Sequence, residues 1–325
     1  MRRRDFVGCA AAALVMPPGA IAASAAYPQR PVSVWIGYPA GGGIDTITRL
    51  FVSRLGAQLG QSVVVEYRPG AGGMIAAQAL AQTRPDGYVL GMTDSGTLTL
   101  QPHIRKKVAY ATLEDFTFLG LVARMPLVLA AHASVPATTL ADLVAHSKAN
   151  PDQISFGSAG FGNPTYTAFE IFKRETGAQI LHVPYPGASR ALTDLAGGQI
   201  SLTFLDVRLA QEYARDGRIR LLAIADARRH PMLADVPTFA ESGVDNVAQP
   251  PWVGLTGPAS MPPAVVDRLA AAFVALAKDA ELASDLVRYG YSPSIADARA
   301  YRDLVKSDFI ANQQLLAQLN ISIDE

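Results

Sequence analysis

The chain has 325 residues, with 28 basic and 28 acidic residues, 50% hydrophobic residues and one cysteine. That length and apolar content exclude a disordered or fibrous protein and allow two domains with separate cores. The zero net charge excludes the excess of Lys and Arg with which a nucleic-acid-binding protein displaces counterions from phosphates. A single cysteine excludes a disulfide framework and a cysteine-cluster metal site.

The first 25 residues have the features of an export signal. Arginines at positions 2–4 precede an uncharged apolar stretch, and residues 23–25 (ASA) fit the small-residue pattern at which signal peptides are cleaved. The arginines and the residues that follow them also resemble a twin-arginine signal. A membrane anchor is the alternative, but residues 17–19 (PPG) break the helix, and the apolar run is shorter than the ~20 residues that span a bilayer. We predict a signal peptide over residues 1–25, cleaved near Ala25, and a periplasmic location.

This segment changes the composition of what remains. It contains Cys9, so the predicted mature chain has no cysteine, which suits an oxidising compartment. It also contains three of the 28 basic and one of the 28 acidic residues, which leaves a net charge of −2.

Strands and helices alternate along the first half of the predicted mature chain. They follow in this order: strand 32–37, helix 44–59, strand 63–67, helix 74–82 and strand 88–92. Glycine turns at 39–43 and 68–73 join the first two strands to their helices. This order predicts parallel βαβ pairing.

The same alternation recurs and predicts a second lobe. Its elements are strand 154–157, helix 165–175, strand 180–183, helix 188–196 and strands 200–205 and 219–225. A strand at 252–256 and helices after Pro262 and at 297–319 follow, and we expect them to pack back onto one lobe. The predicted lobes are therefore 26–125 with 250–325, and 126–249, and the chain crosses between them near residues 125 and 250.

Four loops, two in each lobe, follow a predicted strand and begin a helix. The first N–H groups of a helix lack internal partners and carry a partial positive charge, so such loops bind anions without cationic side chains. Glycines in these turns also serve tight turning alone. Nucleotide binding is disfavoured, because no lysine follows any of the loops as in a phosphate-binding loop.

Catalytic motifs are scarce. The histidines have no metal-ligand spacing, and Ser158 lacks the G-x-S-x-G context of a nucleophile. Asp94 and Ser95 with a distant histidine define the alternative function, a secreted α/β hydrolase.

Six short stretches occur in a distinctive order. They are 38–45 (YPAGGGID), 64–73 (VVEYRPGAGG), 85–88 (PDGY), 183–185 (VPY), 194–199 (DLAGGQ) and 235–238 (DVPT). Together they resemble the solute receptors of tripartite tricarboxylate transporters, the TctC or Bug family of periplasmic binding proteins, over nearly the whole predicted mature chain.

The resemblance implies a type II periplasmic-binding fold, in which two α/β lobes joined by two crossing strands close on a ligand in the cleft between them. It also implies a small carboxylate or amide-type ligand, no cofactor, no metal and no enzymatic activity. A monomer that delivers the ligand to membrane subunits of a transporter, or to a sensor kinase, is the expected assembly.

Ligand contacts in that family come from the first glycine turn and from a helix N-terminus in the second lobe. With the positions at the following strand ends, the candidate binding residues are Tyr38, Ala40, Gly41, Asp45, Asp94, Ser95, Thr97, Ser158, Ala159, Gly160, Gly162, Asn163, Arg190 and Asp206.

Two charged candidates depart from the usual family pattern and point to opposite ligand groups. Asp94 replaces a Ser- and Thr-rich position and would repel a carboxylate, which favours an amine or amide; alternatively, it caps the following turn. Arg190 replaces a common proline and would grip a carboxylate through two parallel hydrogen bonds; alternatively, it points to solvent.

Overall fold

The strands form two separate sheets in the computed structural model, which describes residues 27–247, 250–318 and 320–322. The predicted signal peptide lies outside the described residues. The strands are β1 Val32–Ile36, β2 Val63–Tyr67, β3 Val89–Asp94, β4 Phe116–Arg124, β5 Leu127–His132, β6 Ser155–Ser158, β7 Leu181–Pro184, β8 Leu202–Asp206, β9 Ile219–Ala225, β10 Trp252–Pro258 and β11 Ser292–Ala296. The helices are α1 Gly43–Leu59, α2 Met74–Ala81, α3 Gln101–Ile104, α4 Leu140–Ala149, α5 Pro164–Thr176, α6 Ala188–Ala196, α7 Val207–Arg215, α8 Pro263–Ala277, α9 Ala280–Arg288 and α10 Ala298–Gln318.

Each sheet is the centre of one lobe. The six-stranded sheet of lobe 1 has the order β11-β4-β10-β3-β1-β2, and the five-stranded sheet of lobe 2 has the order β7-β6-β8-β5-β9. Within the described residues, no helix is both long and apolar enough to cross a membrane.

Both sheets are mixed, whereas the sequence predicts parallel pairing. The predicted βαβ units are parallel, since β1 pairs in parallel with β2 and β3, and β6 with β7 and β8. However, β10 pairs antiparallel with β3 and β4, and β5 pairs antiparallel with β8 and β9. These strands adjoin the crossings between the lobes, so they enter their sheets against the direction set by the βαβ units.

The two crossings lie side by side. The chain leaves β4 at Arg124 and begins β5 at Leu127, and it returns to lobe 1 just before Trp252. The Met125 N–H donates to the Pro251 carbonyl oxygen at 2.7 Å and so joins the two crossing segments.

Helix α1 shows how the sequence positions the cleft. Its apolar residues Ile44, Ile47, Phe51 and Leu55 recur at helical spacing and are all buried against the sheet of lobe 1. The helix starts directly after the first glycine turn and ends at Gly60, which has the left-handed conformation common at helix ends. Because β1 and α1 are joined by so short a turn, the helix N-terminus lies at the carboxyl end of the sheet.

The C-terminal helix α10 contacts both lobes, whereas the sequence predicts packing against one. Near its start, Tyr301 lies edge-on to Phe118 and Trp252 in lobe 1. Near its end, Leu316 is 2% exposed and belongs to the apolar core of lobe 2 with Phe169. The helix therefore ties the lobes together at the side where the chain crosses.

We predict that Leu316→Ala lowers the free energy of unfolding by about 2–5 kcal/mol, because it removes a side chain that α10 buries in the other lobe. Urea denaturation measures the loss. Ile310→Ala on the same helix is the matched control: Ile310 is 46% exposed, so its loss should stay within about 0.5 kcal/mol. Equal losses in the two variants would contradict the packing of α10 against lobe 2.

Candidate ligand-binding cleft

A cavity of about 220 Å³ lies between the two lobes. Its walls come from the first glycine turn and the start of α1 in lobe 1, and from three strand-to-helix turns in lobe 2. The lining residues are Tyr38, Pro39, Gly42, Gly43, Ile44, Asp45, Met125, Leu127, Ala159, Asn163, Thr165, Pro186, Gly187, Ala188, Ser189, Arg190, Phe204 and Asp206.

Two helix N-termini open into this cavity from opposite lobes. Helix α1 is preceded by Gly42 and helix α6 by Gly187, and neither has a side-chain cap. The leading N–H groups of both helices therefore depend on solvent or on a ligand for partners. Helix α5 differs, since the Asn163 side chain accepts from the Thr165 N–H at 2.9 Å.

The deep wall of the cavity is apolar. Ile44, Met125, Leu127 and Phe204 line it, and Met125 and Leu127 lie on the crossing from lobe 1 to lobe 2. An apolar wall excludes water and so strengthens polar interactions at its edges. A guest with a short hydrocarbon backbone and polar ends fits this distribution.

Asp94 does not line the cavity; it lies behind Tyr38. Its Oδ2 accepts from the Tyr38 hydroxyl at 2.9 Å and its Oδ1 from the Thr97 N–H at 2.9 Å. The carboxylate is 1% exposed, and burial raises its pKa. Burial and then the Asp94 charge raise the pKa of Tyr38 well above its usual value. Asp94 thus caps the turn after β3 and orients a tyrosine that does line the cavity.

Asp45 lines the cavity, but both of its carboxylate oxygens already accept hydrogen bonds from neighbouring residues. Oδ2 accepts from the Gly41 N–H at 2.8 Å, and Oδ1 accepts from Arg49 Nε at 2.9 Å and the Tyr67 hydroxyl at 2.8 Å. These hydrogen bonds fix the conformation of the first glycine turn. Arg49 offsets the negative charge that Asp45 brings to the start of α1.

Asp206 is the acid that faces the cavity from lobe 2. It is the N-cap of α7, and its Oδ1 accepts from the Leu209 N–H at 2.9 Å. It is 8% exposed, and burial raises its pKa. Burial, and next the Asp206 charge, raise the pKa of Tyr291, a residue of the lobe 1 core.

Arg190 borders the cavity on the first turn of α6. Its side chain is 66% exposed, and its Nε lies 3.5 Å from Asp194 Oδ1 one helical turn away. Such an exposed ion pair contributes little stability. The guanidinium is therefore available at the rim of the cleft.

The other predicted residues surround this cavity without lining it. Gly160 borders an outer cavity of about 570 Å³, shared with the Gly70–Gly72 backbone. Ser95 lines a separate cavity beside α10, and Thr97 is buried in the interior of lobe 1. The remaining candidates, Ala40, Gly41, Ser158 and Gly162, lie in the turns that carry the lining residues or directly before them.

The predicted hydrolase group is not assembled. Within the described residues, Asp94 and Ser95 form no hydrogen bond with a histidine. Two serine–histidine pairs do form in this part of the chain: His132 Nδ1 lies 2.7 Å from Ser134 Oγ, and Ser158 Oγ lies 2.6 Å from His182 Nε2. Burial, and then the Lys173 charge, lower the pKa of His182 to about 4, so a neutral imidazole pairs with the serine hydroxyl. Ser158 is fully buried and also accepts from the Gly160 N–H at 3.2 Å, so this pair braces the turn after β6.

Several lining residues escape prediction from the sequence. Met125 and Phe204 have no polar signal, because apolar side chains in strands are expected in a core. Ser189 and Thr165 lie at the starts of correctly predicted helices, and their position in the first turn is a signal that would have found them.

The chain is similar to known proteins in both sequence and fold. Residues 47–321 match the family described as "Tripartite tricarboxylate transporter family receptor", TctC. The chain is 33% identical to protein BugT of Bordetella pertussis over 241 residues, 74% of each chain. A protein of R. palustris solved with adipate has a TM-score of 0.86 at 29% identity, over 91% of this chain and 99% of that one. MatC from Rhodopseudomonas palustris with bound malate has a TM-score of 0.84 at 28% identity, over 89% and 100%. The predicted fold class is confirmed.

We predict that Tyr38→Phe lowers the free energy of unfolding by about 1–3 kcal/mol, because the buried Asp94 carboxylate loses a donor. Adding Asp94→Asn should reduce this cost, since no buried charge then lacks its partner. Tyr67→Phe is the control, because Asp45 keeps two other donors and the loss should be smaller. Urea denaturation of Tyr38→Phe, Asp94→Asn, the double variant and Tyr67→Phe measures the coupling between Tyr38 and Asp94; strictly additive losses in the two single variants would contradict it.

Proposed function

The chain belongs to the tripartite tricarboxylate transporter receptor family, as its sequence motifs indicate, and from this premise we propose that its cleft binds a small carboxylate. Members of this family are periplasmic solute-binding receptors rather than enzymes, and the hydrolase alternative finds no support. We propose binding without chemistry as the role of this cleft.

The observation that carries the proposal is the pair of helix N-termini facing each other across one cavity. Each N-terminus favours a nearby anion by about 0.3–1 kcal/mol, and by up to ~2 kcal/mol where the site is partly buried. Here the two N-termini belong to different lobes, α1 to lobe 1 and α6 to lobe 2. Arg190 at the rim adds a cation that can turn toward the ligand. A carboxylate bound between them would attract both lobes at once.

The dimensions of the cavity and the ligands of relatives support a small metabolite. Its volume of about 220 Å³ is below the roughly 300–1,000 Å³ of pockets for drug-sized ligands. Adipate and malate, found in the R. palustris relatives, are both short dicarboxylates. The apolar wall of Ile44, Met125 and Phe204 suits the hydrocarbon part of such a molecule.

Delivery of the ligand depends on closure of the two lobes around it. A ligand shifts the receptor toward the closed state only by its difference in affinity between the two states, and contact with both lobes supplies that difference. We propose that the closed monomer, exported and cleaved near Ala25, presents its ligand to the membrane subunits of a tripartite tricarboxylate-type transporter or to a sensor kinase.

Asp206 restricts further which functional groups the ligand can carry. The cavity is lined both by the two helix N-termini and by this carboxylate. A carboxylate has about four lone-pair sites, so its bonds at the start of α7 leave acceptor capacity on the cavity side. A second ligand carboxylate would be repelled there, whereas a hydroxyl, amide or ammonium group would donate to it. We therefore propose a carboxylate that also bears a hydrogen-bond donor; Asp206, not Asp94, carries this preference.

We predict that the refolded, ligand-stripped protein gains thermal stability with at least one of succinate, malate, adipate, aspartate and asparagine. At 100 times its dissociation constant, a ligand adds about 2.7 kcal/mol of stability. Thermal shift identifies the ligand and calorimetric titration measures its affinity. A protein that none of these carboxylates stabilises would contradict the proposal.

Ser189→Asp tests the helix N-terminus directly. It places a negative charge in the cavity at the first turn of α6, so carboxylate affinity should fall at least tenfold, while the helix itself is stabilised by an acid at its start. Ser189→Asn is the matched neutral control and should keep most of the affinity. Equal affinities in the two variants would remove this N-terminus from the site.

Asp206→Asn should reduce the ratio of malate to succinate affinity, and of aspartate to succinate affinity, by roughly tenfold or more, the contribution of a hydrogen bond to a charged group. Asparagine is also a good N-cap, so α7 should persist. The exposed Asp216→Asn at the other end of α7 carries the same charge change as a control. Unchanged ratios would show that Asp206 only caps the helix.

A further inference from the structure

A buried glutamine amide lies between the two lobes. Gln101 is 0% exposed, and its Nε2 donates to the Ala71 carbonyl oxygen at 3.2 Å and to the Phe161 carbonyl oxygen at 3.1 Å. Ala71 belongs to the glycine turn after β2 in lobe 1, and Phe161 to the turn after β6 in lobe 2. One amide nitrogen therefore bonds the backbones of both lobes.

The chemistry of its partners fixes the orientation of this amide. The Gln101 Oε1 accepts from Arg105 Nε at 2.7 Å, and a guanidinium only donates. The two groups bonded to Nε2 are carbonyl oxygens, which only accept. A flipped amide would place oxygen against two oxygens and nitrogen against a donor, so the assignment has one solution.

Two glycines let the turns enclose the amide. Gly72 in lobe 1 and Gly162 in lobe 2 have φ values of 61° and 71°, and a Cβ atom on either would collide with the Gln101 side chain. A Cβ on Gly72 would also lie 2.9 Å from the Phe161 carbonyl oxygen, so the two turns are in direct contact here. The backbone of both lobes is shaped around this one side chain.

The segment that carries Gln101 belongs to both lobes. It follows β3 of lobe 1, yet its neighbours Leu100 and Ile104 are part of the apolar core of lobe 2. The bond to Phe161 therefore lies beside a packed apolar contact. The bond to Ala71 joins the glycine turn of lobe 1 to the Gln101 segment and the lobe 2 core on which that segment packs. This bond therefore depends on how closely the turn of lobe 1 approaches lobe 2.

We propose that the Gln101 amide, bonded to Ala71 and Phe161, is an interlobe latch that stabilises the closed receptor independently of any ligand. The latch sets the fraction of free receptor that is closed, and that fraction scales the apparent affinity for whatever ligand the cleft takes. Gln101 does not line the 220 Å³ cavity; it acts on affinity through closure, as a positioning residue.

Gln101→Glu is the sharpest variant. It keeps the shape of the side chain and the acceptor for Arg105, but it replaces the donor nitrogen with an oxygen that faces two carbonyl oxygens. The ratio of closed to open receptor should fall roughly tenfold or more, since two hydrogen bonds are lost and a repulsion is gained. Gln101→Met, which has similar length and no donor, should shift the ratio in the same direction.

The readout needs no ligand. In a Cys9→Ser background, spin labels at the exposed positions Ser53 on α1 and Ala145 on α4 report the distance between the lobes in the ligand-free protein. We expect a closed-state distance in the wild type that loses population in both Gln101 variants. The L-malate affinity, where the wild type binds malate, should fall in proportion to the closed fraction of the free receptor that the labels report.

A matched control separates the latch from ordinary stability. Gln211 Nε2 donates to the Met232 carbonyl oxygen at 2.8 Å, and both residues lie in lobe 2. Gln211→Glu should affect unfolding but not the distance between the lobes. A wild type that is wholly open without ligand would overturn the latch, as would Gln101 variants with the wild-type distance distribution. The first of these outcomes is read without any variant, so poor folding of the variants leaves the test intact.

Discussion

The cleft depends on bringing backbone N–H groups from two lobes to face each other. Parallel strands with short glycine turns make this possible, because each turn delivers a helix N-terminus to the carboxyl end of its sheet. β1 and α1 do so in lobe 1, and β7 and α6 do so in lobe 2. The remaining features serve this arrangement: a hydrogen bond from Met125 to Pro251 joins the two crossing segments, and α10 contacts both lobes on the same side as the crossings.

Acidic side chains around the cleft have distinct roles because their partners differ. Asp45 shapes the first turn and is neutralised by Arg49, while Asp94 orients Tyr38 from behind the cavity wall. Only Asp206 among these three both lines the cavity and caps a helix of lobe 2. An overall charge near zero therefore conceals a polarised cleft, which is lined both by helix N-termini that we propose attract an anion and by a carboxylate that we propose selects a hydrogen-bond donor.

Local elements were predictable from the sequence where glycine turns and apolar spacing mark them. The predicted helix 188–196 and strands 63–67 and 219–225 have the observed bounds. Helix α4 was missed despite its Thr139 and Asp142 capping box, a signal present in the sequence. Antiparallel pairing of β10 was not predictable, because it depends on where the chain returns after a long excursion.

Side-chain roles were less predictable, because they depend on partners distant in the chain. Whether Asp94 faces the cleft is decided by Tyr38, 56 residues away, whose hydroxyl takes one of its oxygens. The sequence gives no sign that Gln101 bonds both lobes, since its partners lie 30 and 60 residues away in two different turns. Sequence motifs located the turns correctly, but the interactions between turns follow only from their approach in space.

The neutral character of the interlobe latch suits a receptor that must open again. A buried ion pair in the same place would carry a large desolvation cost and, once formed, a strong attraction. An amide bonded to carbonyl oxygens contributes about 0.5–1.5 kcal/mol per bond, enough to bias closure but not to lock it. Under the proposed function, a carboxylate between the helix N-termini adds to this bias, so ligand occupancy together with the latch would determine which state a membrane partner meets.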